Sequence, residues 1–302
     1  MSVVKDITEL IGNTPMLRIN KLTEPGDATV YAKLEWYNIG GSIKDRMALY
    51  IFEYATSAGK LSRDKPMLEA TSGNTGIALA MLAAAKGYRL TLIMPESVSM
   101  ERKRIIKAYG ADLILSPAAK GTGGAIEVKQ NLMKANPEKY VDLDQFQDPA
   151  NILAHYQTTG REILRQVPGK LVSVVVGVGT AGTGVGVAMR VKESLPDVKL
   201  VGVAPRFGTT IQGLRNPSEP FPTQLFRSKW FDELVELGDD EKQKAFQVAR
   251  EAAKREGLLV GMSSGAILHV ALKKASKLGA DKTIVAILPD GGERYLSTEL
   301  FE

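Results

Sequence analysis

Short apolar runs rich in β-branched residues alternate with longer amphipathic stretches along most of the chain, and this alternation restricts the fold more than any other feature. Strand candidates are Val30–Leu34, Leu90–Met94, Leu113–Leu115, Tyr140–Leu143, Leu171–Val176, Leu200–Val203 and Thr283–Leu288. Helix candidates lie between them at Ile43–Ser57, Asn74–Lys86, Met100–Tyr109, Gly124–Ala135, Ile152–Arg165, Thr183–Ser194, Asp240–Arg255 and Gly265–Lys277. Strands joined through helices pair in parallel and are buried on both faces, so the pattern predicts an α/β protein with mostly parallel sheets covered by helices. Gln145-Phe146-Gln147-Asp148-Pro149 interrupts the alternation. A boundary near Asp144–Ala150 gives two α/β halves with a cleft between them, where ligands of open sheets bind. The least regular stretch, Pro205–Phe231, is rich in Pro, Gly and Thr and reads as a long functional loop.

Composition removes several classes of chemistry. The 302 residues contain no cysteine, which excludes disulfides, thiolate metal sites and cysteine nucleophiles. The two histidines, His155 and His269, are far apart, so zinc clusters and a histidine triad have little support. A net charge of +5 slightly favours anionic ligands but is too small and dispersed for nucleic-acid binding. The basic cluster Arg102-Lys103-Arg104 with Lys107 reads as the solvated face of a helix. Met1–Asp6 has no apolar signal core and no apolar run reaches membrane-spanning length, so the expected location is the cytoplasm, with no membrane partner.

Three segments carry the chemistry. Gly177-Val178-Gly179-Thr180-Ala181-Gly182-Thr183-Gly184 follows a buried strand and opens a helix, so backbone N–H groups and the helix dipole converge on one spot. That arrangement binds phosphate, with the Thr180 and Thr183 hydroxyls as further donors. The spacing Gly177-x-Gly179-x-x-Gly182 also fits a dinucleotide fingerprint, which wants an acidic residue at the end of the next strand. Val201–Arg206 offers none, although Arg206 would suit the phosphate of NADP. A purely structural tight turn is the third possibility. The second segment, Thr71-Ser72-Gly73-Asn74-Thr75-Gly76, follows the short apolar Pro66–Glu69 and precedes an alanine-rich helix. Its small polar residues suit a carboxylate; an ordinary N-cap explains the turn equally well when it is taken alone. In the third, Gly40-Gly41-Ser42-Ile43-Lys44-Asp45-Arg46, the glycines allow close approach and Lys44 falls in the first turn of a helix. Most lysines are merely solvated. One at a positive helix end, partly desolvated, loses proton affinity and becomes a usable nucleophile. An amine at one helix start and anion cradles at others are what a phosphorylated carbonyl cofactor, pyridoxal 5'-phosphate, requires.

Together these segments resemble the cysteine synthases (O-acetylserine sulfhydrylases) of the β-family of pyridoxal-phosphate enzymes. The likeness runs from Leu10-Ile11-Gly12-Asn13-Thr14-Pro15 to Gly292-Glu293-Arg294-Tyr295-Leu296-Ser297-Thr298. The resemblance implies a fold-type-II enzyme of two three-layer α/β/α domains with the cofactor in the cleft between them. The smaller, mobile domain would be residues 40–147, and the larger one residues 1–39 and 148–302. Lys44 matches the Schiff-base lysine, Asn74 the asparagine that bonds the cofactor's 3′-oxygen, and Ser263 the serine facing its pyridine nitrogen. Gly179, Thr180, Ala181, Gly182 and Thr183 match the phosphate loop. Thr71, Ser72, Gly73, Thr75 and Gln145 match the grip on the substrate carboxylate.

The chain also departs from the family pattern. Ala181 replaces a common glycine, which requires φ to stay negative there. Thr122 stands where many members carry methionine. Pro205–Asn216 is similar to the cysteine synthase B branch, some relatives of which use an arginine matching Arg215 to recognise O-phosphoserine.

The implied reaction is β-replacement through an α-aminoacrylate, making L-cysteine from O-acetyl-L-serine or O-phospho-L-serine and sulfide. Lys44 would be the general base, and Ser263, a neutral partner to the ring nitrogen, would favour elimination over transamination. The family also implies a homodimer and, for some members, binding to serine acetyltransferase. Rival readings are a cystathionine β-synthase-like enzyme, a serine dehydratase, an NAD(P)-dependent oxidoreductase and a non-catalytic cofactor-binding scaffold.

Overall fold

The structure is a computed structural model and describes residues 3–302. Its larger sheet contains β1 (Met16–Arg18), β2 (Thr29–Leu34), β7 (Lys170–Gly177), β8 (Lys199–Pro205), β9 (Glu233–Leu237) and β10 (Lys282–Leu288), in the order β1-β2-β10-β7-β8-β9. Its smaller sheet contains β3 (Met67–Ala70), β4 (Leu90–Pro95), β5 (Asp112–Ser116) and β6 (Val141–Asp142), in the order β5-β4-β3-β6. Every neighbouring pair is parallel except β1 with β2. The helices are α1 (Lys44–Ser57), α2 (Asn74–Lys86), α3 (Met100–Ala108), α4 (Gly121–Ala135), α5 (Ala150–Gln157), α6 (Thr159–Gln166), α7 (Gly182–Ser194), α8 (Asp239–Glu251) and α9 (Met262–Ala275).

The two-residue period of the strands divides each core in two. In the larger sheet, Val174, Val176, Leu200, Val285 and Ile287 pack with Ile163 of α6 and Val187 and Val191 of α7. Their neighbours Val175, Val201, Ile284, Ala286 and Leu288 face the opposite way, onto Phe246 of α8 and Ile267 and Leu268 of α9. The smaller sheet repeats the scheme. Met67, Leu92 and Met94 meet α1 and α2, whereas Leu68, Ala70 and Ile93 meet Ala125 and Ile126 of α4. Each aliphatic side chain buried this way is worth about 1.5–3 kcal/mol, which holds two three-layer units together without a disulfide.

The departures from the sequence expectations have local causes. β9, Glu-Leu-Val-Glu-Leu, and the three-residue β1 are edge strands with exposed positions, too polar or too short to stand out. The fully buried β3 lies between β4 and β6, where pairing on both sides compensates for its brevity. The single helix expected over Ile152–Arg165 is two, α5 and α6. The Thr158 hydroxyl donates to the Ala154 carbonyl at 2.6 Å, and Thr158 itself sits at φ −117°, ψ −76°, which breaks the run. α9 begins three residues before the predicted Gly265, which puts Ser263 in its first turn.

A buried ionic network fixes the start of α1. Arg46 Nε donates to Glu35 at 2.7 Å, its Nη1 to Glu162 at 2.6 Å and its Nη2 to Thr14 at 3.0 Å. Lys33 Nζ donates to the other Glu162 oxygen at 2.7 Å. Burial alone would raise the Glu162 carboxyl; Arg46 and Lys33 outweigh it and bring the pKa down to about 2.

Candidate active site

Five helix N-termini open onto one cavity of about 830 Å³, with Lys44 of α1, Asn74 of α2, Gly121 of α4, Thr183 of α7 and Ser263 of α9 in its wall. Each start exposes unpaired N–H groups and a partial positive charge, so the cavity favours anions. The loop predicted at Pro205–Phe231 contributes a wall as well, through Phe207–Arg215 and Phe221.

Lys44 is the first residue of α1. The chain reaches it through Gly41 at φ +80°, a conformation glycine adopts freely, and Ile43 N–H donates to the Pro289 carbonyl at 2.9 Å. The half-buried amine hydrogen-bonds to no described residue. Burial lowers its pKa, and the negative charge of Asp290 opposes that shift.

The glycine-threonine loop joins β7 to α7, and Gly179, Thr180, Ala181 and Thr183 line the cavity; Gly182 does not. A Cβ on Gly179 would lie 2.9 Å from the Gly213 carbonyl, and one on Gly182 would overlap Asn151. Positions 179 and 182 therefore leave no room for a side chain. Asn151 Nδ2 donates to Thr180 Oγ1 at 3.0 Å. The expectation of negative φ at residue 181 is overturned: Ala181 sits at φ +68°. The turn that aims the following N–H groups needs this left-handed residue, at a cost of about 1–2 kcal/mol. The alanine methyl packs with Val178, Ala204, Phe226 and Phe231 in compensation.

The Thr71–Thr75 turn joins β3 to α2. Gly73 N–H donates to Thr71 Oγ1 at 3.1 Å, Thr75 Oγ1 to Gln145 Oε1 at 2.7 Å and Thr122 Oγ1 to Ser72 Oγ at 3.0 Å. The turn, Gln145 and the small residue at 122 therefore form one polar wall. Gln145 is held from behind by Glu69, whose carboxylate accepts its N–H at 3.1 Å. Burial pushes the Glu69 carboxyl up to about 7, and Lys129 opposes this.

Asn74 is clamped: its Nδ2 donates to Asp290 at 2.7 Å, and its Oδ1 accepts from Arg294 at 2.6 Å. Ser263 is buried at the start of α9 with its hydroxyl on the cavity and bonded to no described residue. Arg215 also reaches the wall. Its Nε donates to Glu219 at 3.1 Å, its Nη2 to the Pro220 carbonyl at 2.9 Å, and it lies over the Phe146 ring. Its charge is thus neutralised by a neighbour four residues on.

Two residues were missed or misread in the sequence. Arg102, expected on a solvated face, is 4% exposed and lines the cavity; its Nη1 donates to Gln212 at 2.7 Å. It shares the inward face of α3 with Ile106, one turn on, while Arg104 and Lys107 point to solvent. His155 is buried between Thr159, 2.9 Å from its Nδ1, and Thr183, 3.1 Å from its Nε2. Burial, with Arg46 and Lys44 nearby, lowers its pKa well below the usual value, so the ring is neutral and braces Thr183. Its place within α5, far in sequence from Thr183, gave no signal of that contact. Among the described residues no His, Cys, Asp and Glu group suits a metal, and no helix is long and apolar enough to cross a membrane.

A lysine amine and a serine hydroxyl without partners among the described residues, and a glycine-threonine loop at a helix start, fit a phosphorylated aromatic aldehyde. Fold and cleft together are those of an α/β enzyme that works with such a cofactor. The sequence pattern of pyridoxal-phosphate dependent enzymes matches residues 7–290. A cysteine synthase of Staphylococcus aureus is 40% identical over 310 aligned positions, covering 99% of this chain and 97% of the relative. The crystal structure of a cysteine synthase from Entamoeba histolytica superposes with a TM-score of 0.91 at 38% identity, over 99% of this chain and 91% of that one. An O-acetylserine-dependent cystathionine β-synthase from Helicobacter pylori gives 0.89 at 34% identity, over the full length of both. The chain belongs to the pyridoxal-phosphate-dependent enzymes and, within them, to the cysteine synthase family.

Proposed function

We propose that this enzyme makes L-cysteine by β-replacement, from O-acetyl-L-serine or O-phospho-L-serine and sulfide. The observation that carries the reading is the convergence of five helix starts on one cavity containing Lys44, which suits two anions and one amine in the same space.

In this reading Lys44 holds the cofactor covalently, the Gly179–Thr183 loop takes its phosphate, Asn74 its ring oxygen and Ser263 its ring nitrogen. Bound pyridoxal phosphate supplies the electron sink that makes the substrate's α-proton removable. Thr71, Ser72, Gly73, Thr75 and Gln145 grip the substrate carboxylate and orient its α-carbon. The amine of Lys44, weakened as a proton acceptor by burial, takes the α-proton and later returns it. Arg215, on the Phe207–Arg215 wall, is the group that would meet a phosphate leaving group. Arg102 and Phe221 narrow the cavity and limit water.

Residues 40–147 are proposed to move as a smaller unit against 1–39 and 148–302, because each sheet has its own core and the carboxylate turn belongs to the smaller one. A homodimer and docking of serine acetyltransferase belong to the same proposal. Light scattering of the enzyme alone and mixed with that acetyltransferase tests both.

The decisive experiment assays O-acetylserine and O-phosphoserine, each with sulfide and with homocysteine, for wild type and Lys44→Ala. Cysteine from sulfide, abolished in Lys44→Ala together with the visible band of bound cofactor, is expected. A preference for homocysteine would favour cystathionine formation, a reading to which the likeness to the H. pylori enzyme lends weight.

A further inference from the structure

Asp290 follows β10 and is 1% exposed. Its Oδ2 accepts from Asn74 Nδ2 at 2.7 Å and from the Tyr295 hydroxyl at 2.6 Å. Its Oδ1 is buried and has no hydrogen-bond partner among the described residues. A bridge between Ser42 and Asp290, together with the bond from Ile43 N–H to the Pro289 carbonyl, fastens its backbone to the two residues that lead into Lys44.

A buried carboxylate with an idle oxygen is costly unless a positive charge faces it. The neighbouring cations can be taken in turn. Arg294 is occupied by Asn74 Oδ1 and the Gly40 carbonyl. Arg102 lies over the Tyr295 ring, 4.9 Å from its centre, and bonds Gln212. Lys44 has no hydrogen bond or ion pair to a described residue; the Ser42–Asp290 bridge sets Asp290 beside the chain that leads into it, and the charge of Asp290 favours its protonated form. The same cluster settles the orientation of Asn74. A guanidinium only donates and a carboxylate only accepts, so the amide oxygen faces Arg294 and its NH2 faces Asp290. One hydrogen of that NH2 is left for the cavity.

We propose that Asp290 is a positioning residue for the reaction: it holds the Asn74 amide with a free N–H toward the cavity and sets a fixed negative charge against the Lys44 nitrogen. The inference rests on the reading that Lys44 and Asn74 hold the cofactor. Asp290 then offsets part of the desolvation at Lys44, and a proton taken from substrate carbon stays on that nitrogen until it is returned.

The test compares Asp290→Asn holoenzyme with wild type. Borohydride reduction and peptide mapping should find the cofactor on Lys44 in both. The pH at which the visible band changes, which reports the proton on the Lys44 nitrogen, should fall by about one unit, a ten-fold change in proton affinity. The kcat should drop about 10–100-fold, with KM for the amino acid changed less than about three-fold. Asp290→Ser, which removes the charge with less bulk to place, carries the same expectation where the asparagine variant does not fold. A band whose pH profile superposes on wild type overturns the proposal, whether or not kcat falls, since a merely structural role would leave that profile unmoved. Cofactor trapped on another lysine in wild type would instead remove the underlying reading.

Discussion

The hydroxyl of Thr75, in the first turn of α2, donates a 2.7 Å hydrogen bond to the side-chain oxygen of Gln145, seventy positions along the chain. The bond joins the small-residue turn to the segment that leads out of the smaller sheet, and both ends line the cavity. Thr75→Val keeps the shape and leaves Gln145 Oε1 unpartnered in a buried place. The expected result is a 10–100-fold rise in KM for the amino-acid substrate, the equivalent of about 1–3 kcal/mol, with the cofactor still bound. Steady-state kinetics beside the visible spectrum check it.

Arg215 reaches the cavity already paired with Glu219 at 3.1 Å. Its charge is therefore partly spent, which disfavours a doubly charged phosphate relative to a bare arginine. Glu219→Gln should raise kcat/KM for O-phosphoserine about 3–10-fold and leave O-acetylserine unchanged, while Arg215→Ala should damage O-phosphoserine alone. Equal effects on both donors would show that this wall does not select the leaving group.

The Asp45 carboxyl beside Lys44 is pushed up to about 7 by burial, against the Gly40 N–H and the charge of Arg294. A folded-state pKa above the unfolded value means that stability is full at low pH and is lost as pH rises through the folded value. Measured against Asp45→Asn, the wild type should therefore lose stability between about pH 4 and pH 7, by about 1.4 kcal/mol per unit at the steepest, read from denaturant unfolding of both.

Arg46 is fully buried against Glu35 and Glu162. Arg46→Ala strands Glu35, leaves Glu162 with Lys33 as its one remaining cation, and should cost about 3–5 kcal/mol in chemical denaturation. Because α1 starts two residues before Arg46, cofactor affinity should fall as well. A loss under about 1 kcal/mol would mean that water or neighbouring groups take over the network.

Ala181 pays a left-handed φ of +68° and recovers part of it through its buried methyl. Ala181→Gly should change stability by less than about 1 kcal/mol, because relief of strain and loss of packing nearly cancel. Ala181→Val adds β-branching to the same conformation and should destabilise by more than about 2 kcal/mol, read from thermal unfolding.

The local code was legible where the physics is local. The two-residue alternation of Leu171–Val176 and the small residues at Thr71–Thr75 announce a strand and a helix start to anyone reading a dozen positions. For the same reason Lys44 could be put in a first turn from Gly40-Gly41-Ser42 alone. The edge strand β9 was lost because Glu233 and Glu236, three apart, break the two-residue alternation and leave most of the strand exposed.

What the order of residues determined by itself was the α/β alternation and the position of each polar turn at a helix start, since backbone N–H groups there are set by their own neighbours. Folding decided which side chains those turns would meet. Asn74 is clamped by Asp290 from 216 positions away, and Arg46 meets Glu162 across 116. Arg102 turned inward because Gln212 waited there, and Arg215 was neutralised by Glu219 once the 205–231 loop had closed on itself. Charge and burial depend on distance in space, and no local pattern in the chain encodes which distant groups will share a cavity.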